Sequence, residues 1–132
     1  MVNAATYILE NNSTIQGLVG VRAGGTDYKV FPVVVFESEK APYIVVRQSG
    51  RTSLGENCGS TFNIDVISYA GSYDAVNTLS AAIKTALEGQ AANSNLNGID
   101  FGSLYMINEV DGDFVKDHLL YSKIQTFEGI AG

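Results

Sequence analysis

The chain has 132 residues, enough for one domain whose core needs neither a disulfide nor a metal. It is 45% hydrophobic and 17% charged, a composition typical of globular proteins and not of disordered ones. Its net charge is −6 and it has only eight Lys and Arg residues, which argues against a dedicated nucleic-acid-binding protein, because counterion release requires clustered cations. A single cysteine, Cys58, makes neither an internal disulfide nor a zinc site.

The first residues, MVNAATYILENNST, contain neither a basic segment nor a long apolar run. We therefore expect no signal peptide, no transmembrane segment and folding in a cytoplasm. No repeat, low-complexity tract or linker divides the chain, so we expect a single domain over residues 1–132.

The N-terminal residues predict helical turns. Residues 4–11 predict a short helix with Asn3 as its N-cap. Its apolar stripe consists of Ala5, Ile8 and Leu9. A second apolar group indicates either a further helical turn or a turn that packs on the same core; it consists of Ile15, Leu18 and Val19. The glycine-rich residues 23–27 predict a break.

Three strands are predicted next. Residues 28–36 are rich in β-formers, but Pro32 cannot donate to a central ladder, so they form an edge strand or two short pieces. Residues 43–48 predict a strand, and the polar residues 49–60 predict a loop at the tip of a long hairpin. Residues 61–69 alternate between polar and apolar side chains, which predicts a strand with two different faces. One face is apolar, with Phe62, Ile64 and Val66, and the other meets solvent or a partner, with Thr61, Asn63 and Asp65.

Residues 72–88 predict an amphipathic helix that lies across this apolar row. Ser72 is the predicted N-cap, and Asp74 lies in the first turn, where the helix dipole favours an anion. The apolar stripe consists of Val76, Leu79, Ile83 and Leu87. Small residues that allow close packing are Ala75, Ala82 and Ala86. Gly89 is the predicted C-cap.

The remaining residues predict a loop at 90–103, a strand at 104–110, a turn at 111–113, a last strand at 118–127 and a loose tail. Leu120, Ser122 and Ile124 are expected on one face of the last strand. The element order predicts an α+β two-layer sandwich. Its sheet is mostly antiparallel with four to five strands, one long helix packs on one face, and a short helix comes first.

Two motifs fail the requirements of their chemistry. Gly20 and Gly25 have the spacing of a phosphate loop, but the lysine that should follow is missing. Four acidic residues resemble a calcium loop: Glu109, Asp111, Asp113 and Asp117. Counted from Glu109, the sixth position is Phe114 and not Gly, and the twelfth is Leu120 and not Glu. A solvated turn is the better interpretation, with an adventitious cation site as the alternative.

The sequence contains little that indicates catalysis. Cys58 and the only histidine, His118, form a dyad only if the fold brings them together, and neither lies in a known catalytic signature. We expect no enzyme activity, no catalytic residue, no cofactor and no metal. Tyrosines on or beside the sheet are either interface residues or ordinary half-buried ones: Tyr43, Tyr69, Tyr73, Tyr105 and Tyr121.

The element order and three segments, APYIVVRQSG, FNIDVISYAGSYDAVNTLSAAIKTALEG and LLYSKIQTFE, resemble one protein family. They are similar to the tail completion (tail terminator, tail-to-head joining) proteins of long-tailed bacteriophages, prophages and gene transfer agents. The resemblance spans about residues 4–127 and is strongest over residues 62–89. Extra residues before APY and a long, Asn-rich segment at 90–103 depart from the family pattern.

The resemblance implies a structural virion protein without enzyme activity or cofactor. Such proteins form rings, commonly hexameric, at the head-proximal end of the tail tube, where they end tube growth and meet the head–neck connector or stopper protein. DNA passes through the ring without specific binding. The implied partners are further copies of the chain, the tube protein and the neck protein, with no membrane. The implied location is the virion, after assembly in the host cytoplasm.

A ring of head-to-tail contacts requires one surface patch to match a different patch on the neighbour. The residues expected at the subunit interface or the lumen are Asn63, Asp65, Ile67, Tyr69, Tyr43 and Tyr121. Those expected to contact the tube or neck are Arg47, Arg51, Leu54 and Glu56. The alternatives are a head-closure or stopper protein, a tail tube subunit, and a small cytoplasmic α+β ligand-binding or adaptor module.

Overall fold

The computed structural model describes residues 2–21, 27–32, 41–53, 60–88, 95–96, 99–114, 116 and 119–131. Two helices, α1 (Val2–Glu10) and α2 (Ser13–Val19), precede three strands: β1 (Val30–Pro32), β2 (Tyr43–Ser53) and β3 (Ser60–Ala70). They are followed by a long helix and three more strands: α3 (Tyr73–Glu88), β4 (Asn95–Leu96), β5 (Ile99–Asp111) and β6 (Tyr121–Ala131). The predicted α+β sandwich with one long helix and a short N-terminal helix is confirmed.

The strands form one sheet in the order β1-β2-β3-β6-β5-β4. Only β1 and β2 are parallel, and the other pairs are antiparallel. Since β4 has only two residues, five strands make up most of the sheet, as the sequence predicts. Pro32 is the last residue of β1, which lies at the edge of the sheet, where a missing backbone donor is tolerated.

The core lies between the helices and one face of the sheet. The predicted apolar row is confirmed, because Ile64 and Val66 are fully buried and Phe62 packs against them while partly exposed. The predicted stripe of α3 is also confirmed, with every member 1% exposed or less: Val76, Leu79, Ile83 and Leu87. The stripe of α1 belongs to the same core, and so does Phe127 of β6. Burial of this face fixes the orientation of α3 on the sheet.

Short polar side chains cap the N-termini of two helices. The Asn12 side chain accepts hydrogen bonds from the backbone N–H groups of Thr14 and Ile15, both at 3.1 Å, so the second apolar group is indeed helical. The Ser72 Oγ accepts from the Ala75 N–H at 3.2 Å, which confirms the predicted cap of α3. Asn3 as an N-cap is wrong, since α1 begins at Val2.

Three segments predicted to be irregular are partly strand. The predicted loop at 49–60 is wrong at both ends, because β2 runs to Ser53 and β3 begins at Ser60. The predicted loop at 90–103 contains β4 and the start of β5. The tail is not loose: β6 continues to Ala131 between β3 and β5. Paired on both sides, its backbone gains ladder hydrogen bonds that outweigh the poor β-propensity of its glycine and glutamate.

Several predictions concern residues outside the described ranges. They include most of the break at 23–27, the rest of the segment that follows Pro32, and the cap at Gly89. Cys58, Asp117 and His118 also lie outside the described residues.

Candidate functional site

The sheet face turned away from α3 carries five of the six residues expected at an interface or lumen. We call it the open face. It comprises alternate residues of β2, β3, β6 and β5, which include Tyr43, Val45, Arg47, Thr61, Asn63, Asp65, Ile67, Tyr69, Ser122, Ile124, Thr126, Glu128, Tyr105, Asn108 and Val110. Strand register brings them together, because residues paired across neighbouring strands lie on the same face.

An apolar row crosses the open face from β2 to β5. Val45 pairs with Ile67, Ile67 with Ile124 and Ile124 with Val110. Exposure rises along the row, from 6% at Val45 and Ile67 to 45% at Val110. Near β2 the row joins a second buried cluster that includes Phe31 of β1. The chain therefore buries one side of the open face itself and leaves the β5 side exposed.

A polar row lies beside the apolar one. The Arg47 guanidinium contacts Asp65 Oδ2 at 3.4 Å, and the Thr126 hydroxyl donates to Asp65 Oδ1 at 2.8 Å. The Asp65 side chain is only 13% exposed, whereas that of Arg47 is 51% exposed. Asp65 thus has two partners within its own chain, and Arg47 is the more accessible member of the pair.

Two tyrosines of the open face, Tyr43 and Tyr69, pack on each other. The rings of Tyr43 and Tyr69 are 5.0 Å apart at 30°, and Phe31 meets Tyr43 edge-on at 6.2 Å. Burial, with a smaller contribution from neighbouring Tyr69, raises the pKa of Tyr43 above its ordinary value of 10.0. Tyr43 is a packing residue of the subunit, and Tyr69 is partly exposed beside it.

Tyr121, the sixth predicted residue, lies on the other face, in register with the buried Ala70. Its ring contacts Phe114 at 4.8 Å and Tyr73 of α3 at 6.2 Å. These three rings, which we call the aromatic patch, are 40–45% exposed. The Tyr73 hydroxyl donates to Asp111 Oδ2 at 3.0 Å, which fixes one ring. Phe114 was not predicted as a site residue. The signal in the sequence is a large aromatic residue directly after the acidic turn at 111–113.

Lys123 forms ion pairs with two acidic residues near the β5–β6 turn. Lys123 Nζ donates to Asn77 Oδ1 at 2.6 Å and lies 3.7 Å from carboxylate oxygens of both Glu109 and Asp111. Its side chain is 14% exposed and also lies 5.5 Å from the centre of the Tyr73 ring. Among the described residues, no group of three or more His, Cys, Asp or Glu side chains is placed to hold a metal ion.

Two of the four residues predicted to contact a tube or neck lie in a strand. Arg47 and Arg51 both lie in β2, so Arg51 belongs to a strand and not to the loop in which we expected it. Leu54 and Glu56 lie outside the described residues.

A groove of about 250 Å³ lies between α2 and α3. The described residues that line it are Asn12, Thr14, Ala81, Ala82 and Thr85. None of these five side chains titrates near neutral pH. In the part of the chain that the structure describes, no helix is long and apolar enough to cross a membrane.

No family model matches this sequence, and no curated protein matches it. A chain in the solved virion of a native gene transfer agent particle is similar in structure. The superposition has a TM-score of 0.74, covers 100% of this chain and 95% of that chain, and aligns residues that are 15% identical. The two chains therefore share a fold over the whole length of this chain, at low sequence identity.

Proposed function

We propose that this chain is a structural virion protein of a phage-like particle and forms a ring at the head-proximal end of the tail tube. The ring ends tube growth and joins the tail to the neck while DNA passes through its opening. The observation that carries the proposal is the full-length likeness to a chain of a gene transfer agent virion. The sequence resemblance to tail terminator proteins supplies the more specific role.

The surface of the subunit supports an assembly role. Tyr105, Ile107 and Val110 on β5 are each 44–45% exposed, and the aromatic patch adds three exposed rings elsewhere on the molecule. Exposed tyrosine and phenylalanine are enriched at protein interfaces, where they bury area at low entropic cost. Two separate apolar surfaces are what a subunit needs if it contacts both its neighbours in a ring and the ring above or below.

The charge of the chain suits a passage for DNA. The net charge is −6, and the acidic Asp65 and the basic Lys123 are each paired within the subunit. A net acidic surface does not grip the phosphate backbone strongly, because binding requires clustered cations that release counterions.

Deletion of the gene in its native genome tests the role directly. We expect overlong tails without heads in electron micrographs, because nothing stops tube growth, and normal particles when the gene is restored. Full heads that leak DNA beside tails of normal length would instead identify a head-closure or stopper protein. The absence of any tail would identify a tube subunit. Particles of normal length and normal infectivity would overturn the virion role altogether.

The binding-module alternative makes a different prediction for the purified protein. It requires a monomer or dimer with a formed pocket. Light scattering in the presence and absence of isolated tails distinguishes the two, since a ring subunit associates at least on the tail. A chain that stays monomeric with tails present and binds a metabolite would replace our proposal.

A further inference from the structure

Both edges of the sheet have a stretch with no described neighbour. At one edge β1 pairs only with residues 44–46, so residues 47–53 of β2 have β3 on one side and no described strand on the other. At the other edge β4 pairs only with Ile99 and Asp100, so residues 101–111 of β5 have β6 on one side and no described strand on the other. Exposed strand edges are templates for pairing with another chain.

Two aliphatic side chains are exposed in the C-terminal half of β5. Ile107 and Val110 are both 45% exposed, and the β5–β6 register shifts between Met106 and Asn108, where Ile107 is the extra residue. The Met106 N–H donates to Glu88 Oε1 at 3.0 Å, so the helix caps the edge at that point. Residues 107–111 lie beyond this cap.

The two edges carry opposite charges. Residues 47–53 contain Arg47 and Arg51 and no acidic residue, whereas residues 101–111 contain Glu109 and Asp111 and no basic residue. Lys123 is shared between the two carboxylates and offsets only one of their charges. Asp65 likewise offsets the charge of Arg47, so Arg51 is the further cation that the sequence supplies at the β2 edge. Opposite charges stabilise neighbouring strands, and like charges destabilise them.

The strand directions also match. Because β2, β3, β6 and β5 are antiparallel in turn, β2 and β5 run in opposite directions. A second copy in the same orientation therefore offers β5 an antiparallel partner when its β2 lies alongside. The same step repeated leaves one edge of each kind open until a ring closes.

We propose that residues 107–111 of β5 pair with residues 47–53 of β2 in the next copy of this chain, and that this edge-to-edge contact is the subunit interface of the ring. The inference rests on the proposed function and adds the surface that builds the ring. It moves the interface from the open face, half of which the subunit buries itself, to the two sheet edges.

Disulfide trapping tests the contact even when association is weak. In a Cys58→Ser background, we would combine Ile107→Cys on β5 with Cys substitutions at Arg51, Thr52 or Ser53 on β2, one at a time. Antiparallel pairing places the start of residues 107–111 opposite the end of residues 47–53, and bonding requires a Cα separation of about 4.4–6.8 Å. At least one pair should give a ladder of disulfide-linked oligomers on non-reducing gels after mild oxidation, with tails present if needed. Each single Cys variant should migrate as a monomer on these gels, because it lacks the second thiol. No ladder from any pair, or equal dimer formation by the single variants, would overturn the proposal.

Charge placement supplies an independent test by light scattering. Ile107→Lys puts a cation on the β5 edge, and Arg47→Glu puts an anion on the β2 edge, so each should weaken association by about tenfold or more. Leu119→Lys is the matched control, because Leu119 is 68% exposed, lies on neither edge and should associate like wild type. Arg47→Gln is the milder variant if Arg47→Glu lowers the melting temperature.

Mixing the two edge variants is the most specific measurement. Each has one intact edge, so the two variants together should form mixed oligomers under conditions in which neither associates alone. Association equal to wild type in either edge variant, or no mixed oligomer in the mixture, would contradict the proposed contact. These outcomes are separate from the gene-deletion experiment. Overlong tails in the deletion strain combined with unimpaired edge variants would refute the interface and leave the terminator role intact.

Discussion

Glu88, the last residue of α3, accepts a hydrogen bond from the Met106 backbone N–H of β5, and this contact ties the end of the helix to the edge of the sheet. The hydrogen bond from Met106, reinforced by Lys84 at 3.2 Å, lowers the pKa of Glu88 from its ordinary value of 4.5. The helix thus satisfies a backbone donor that would otherwise face solvent at the edge.

Replacement of Glu88 by Gln should produce a pH-dependent loss of stability. Because the pKa of Glu88 is lower in the folded state, the ionised carboxylate stabilises the fold above pH 4.5, and this contribution is lost as the pH falls through the folded pKa. Urea unfolding from pH 7 to pH 3 should show a small gap between wild type and Glu88→Gln that closes in acid. Lys84→Met should narrow the gap without removing it. A gap that is independent of pH would contradict this cause.

Two phenylalanines should respond very differently to truncation. Phe127 is fully buried between the sheet and the helices, so Phe127→Ala should lower the free energy of unfolding by about 3–5 kcal/mol. Phe114 is 42% exposed in the aromatic patch, so Phe114→Ala should cost about 1 kcal/mol or less. Denaturant titration measures both. Equal losses would mean that the core does not lie where the structure places it.

The helix and the central strands were predictable because their patterns are local. The apolar residues of α3 are spaced so that all of them lie on one side of the helix: Val76, Leu79, Ile83 and Leu87. Burial of that side determines how the helix packs on the sheet. The end of β6 was not predictable in this way. Gly129 reads as a turn residue, but it lies between Phe62 and Leu104 on the neighbouring strands, and only the assembled sheet supplies those partners.

The candidate site was predictable only in part, because register decides it. Asp65 was expected to face a partner, but pairing with Arg47 across the hairpin and with Thr126 across β6 depends on strand alignment that the sequence does not specify. The face on which Tyr121 lies could have been predicted from the sequence. Tyr121 and Phe127 are an even number of residues apart in the strand, so they lie on the same face, and alternation places Ser122 and Ile124 on the opposite face.

Tyr43→Phe should remove part of the alkaline loss of stability. Burial raises the pKa of the Tyr43 hydroxyl above 10.0 in the folded state, so the neutral form stabilises the fold below that pH, and the contribution is lost as the pH rises through the folded pKa. Between pH 9 and pH 11, wild type should lose more free energy of unfolding than Tyr43→Phe. Tyr105→Phe, at an exposed position, is the control and should follow wild type. Parallel curves for all three proteins would exclude Tyr43 as the titrating group.

Gly112 and Ser122 should be energetically coupled across the β5–β6 turn. The Gly112 N–H donates to Ser122 O at 3.0 Å, and the Ser122 hydroxyl donates to Asp113 O at 3.3 Å. A methyl group on Gly112 would overlap Ser122 Oγ, so Gly112→Ala should force that hydroxyl to rotate and break its hydrogen bond, at a cost of about 1–2 kcal/mol.

Ser122→Ala removes the overlapping atom, so Gly112→Ala should cost less in that background, with a coupling energy of about 0.5 kcal/mol or more in a double-mutant cycle. Gly71→Ala is the matched control, because a methyl group there meets nothing within 4 Å. Its free energy of unfolding should stay within about 1 kcal/mol of wild type. Strict additivity of Gly112→Ala and Ser122→Ala would show that the turn relaxes in another way and that the hydroxyl does not limit the space beside Gly112.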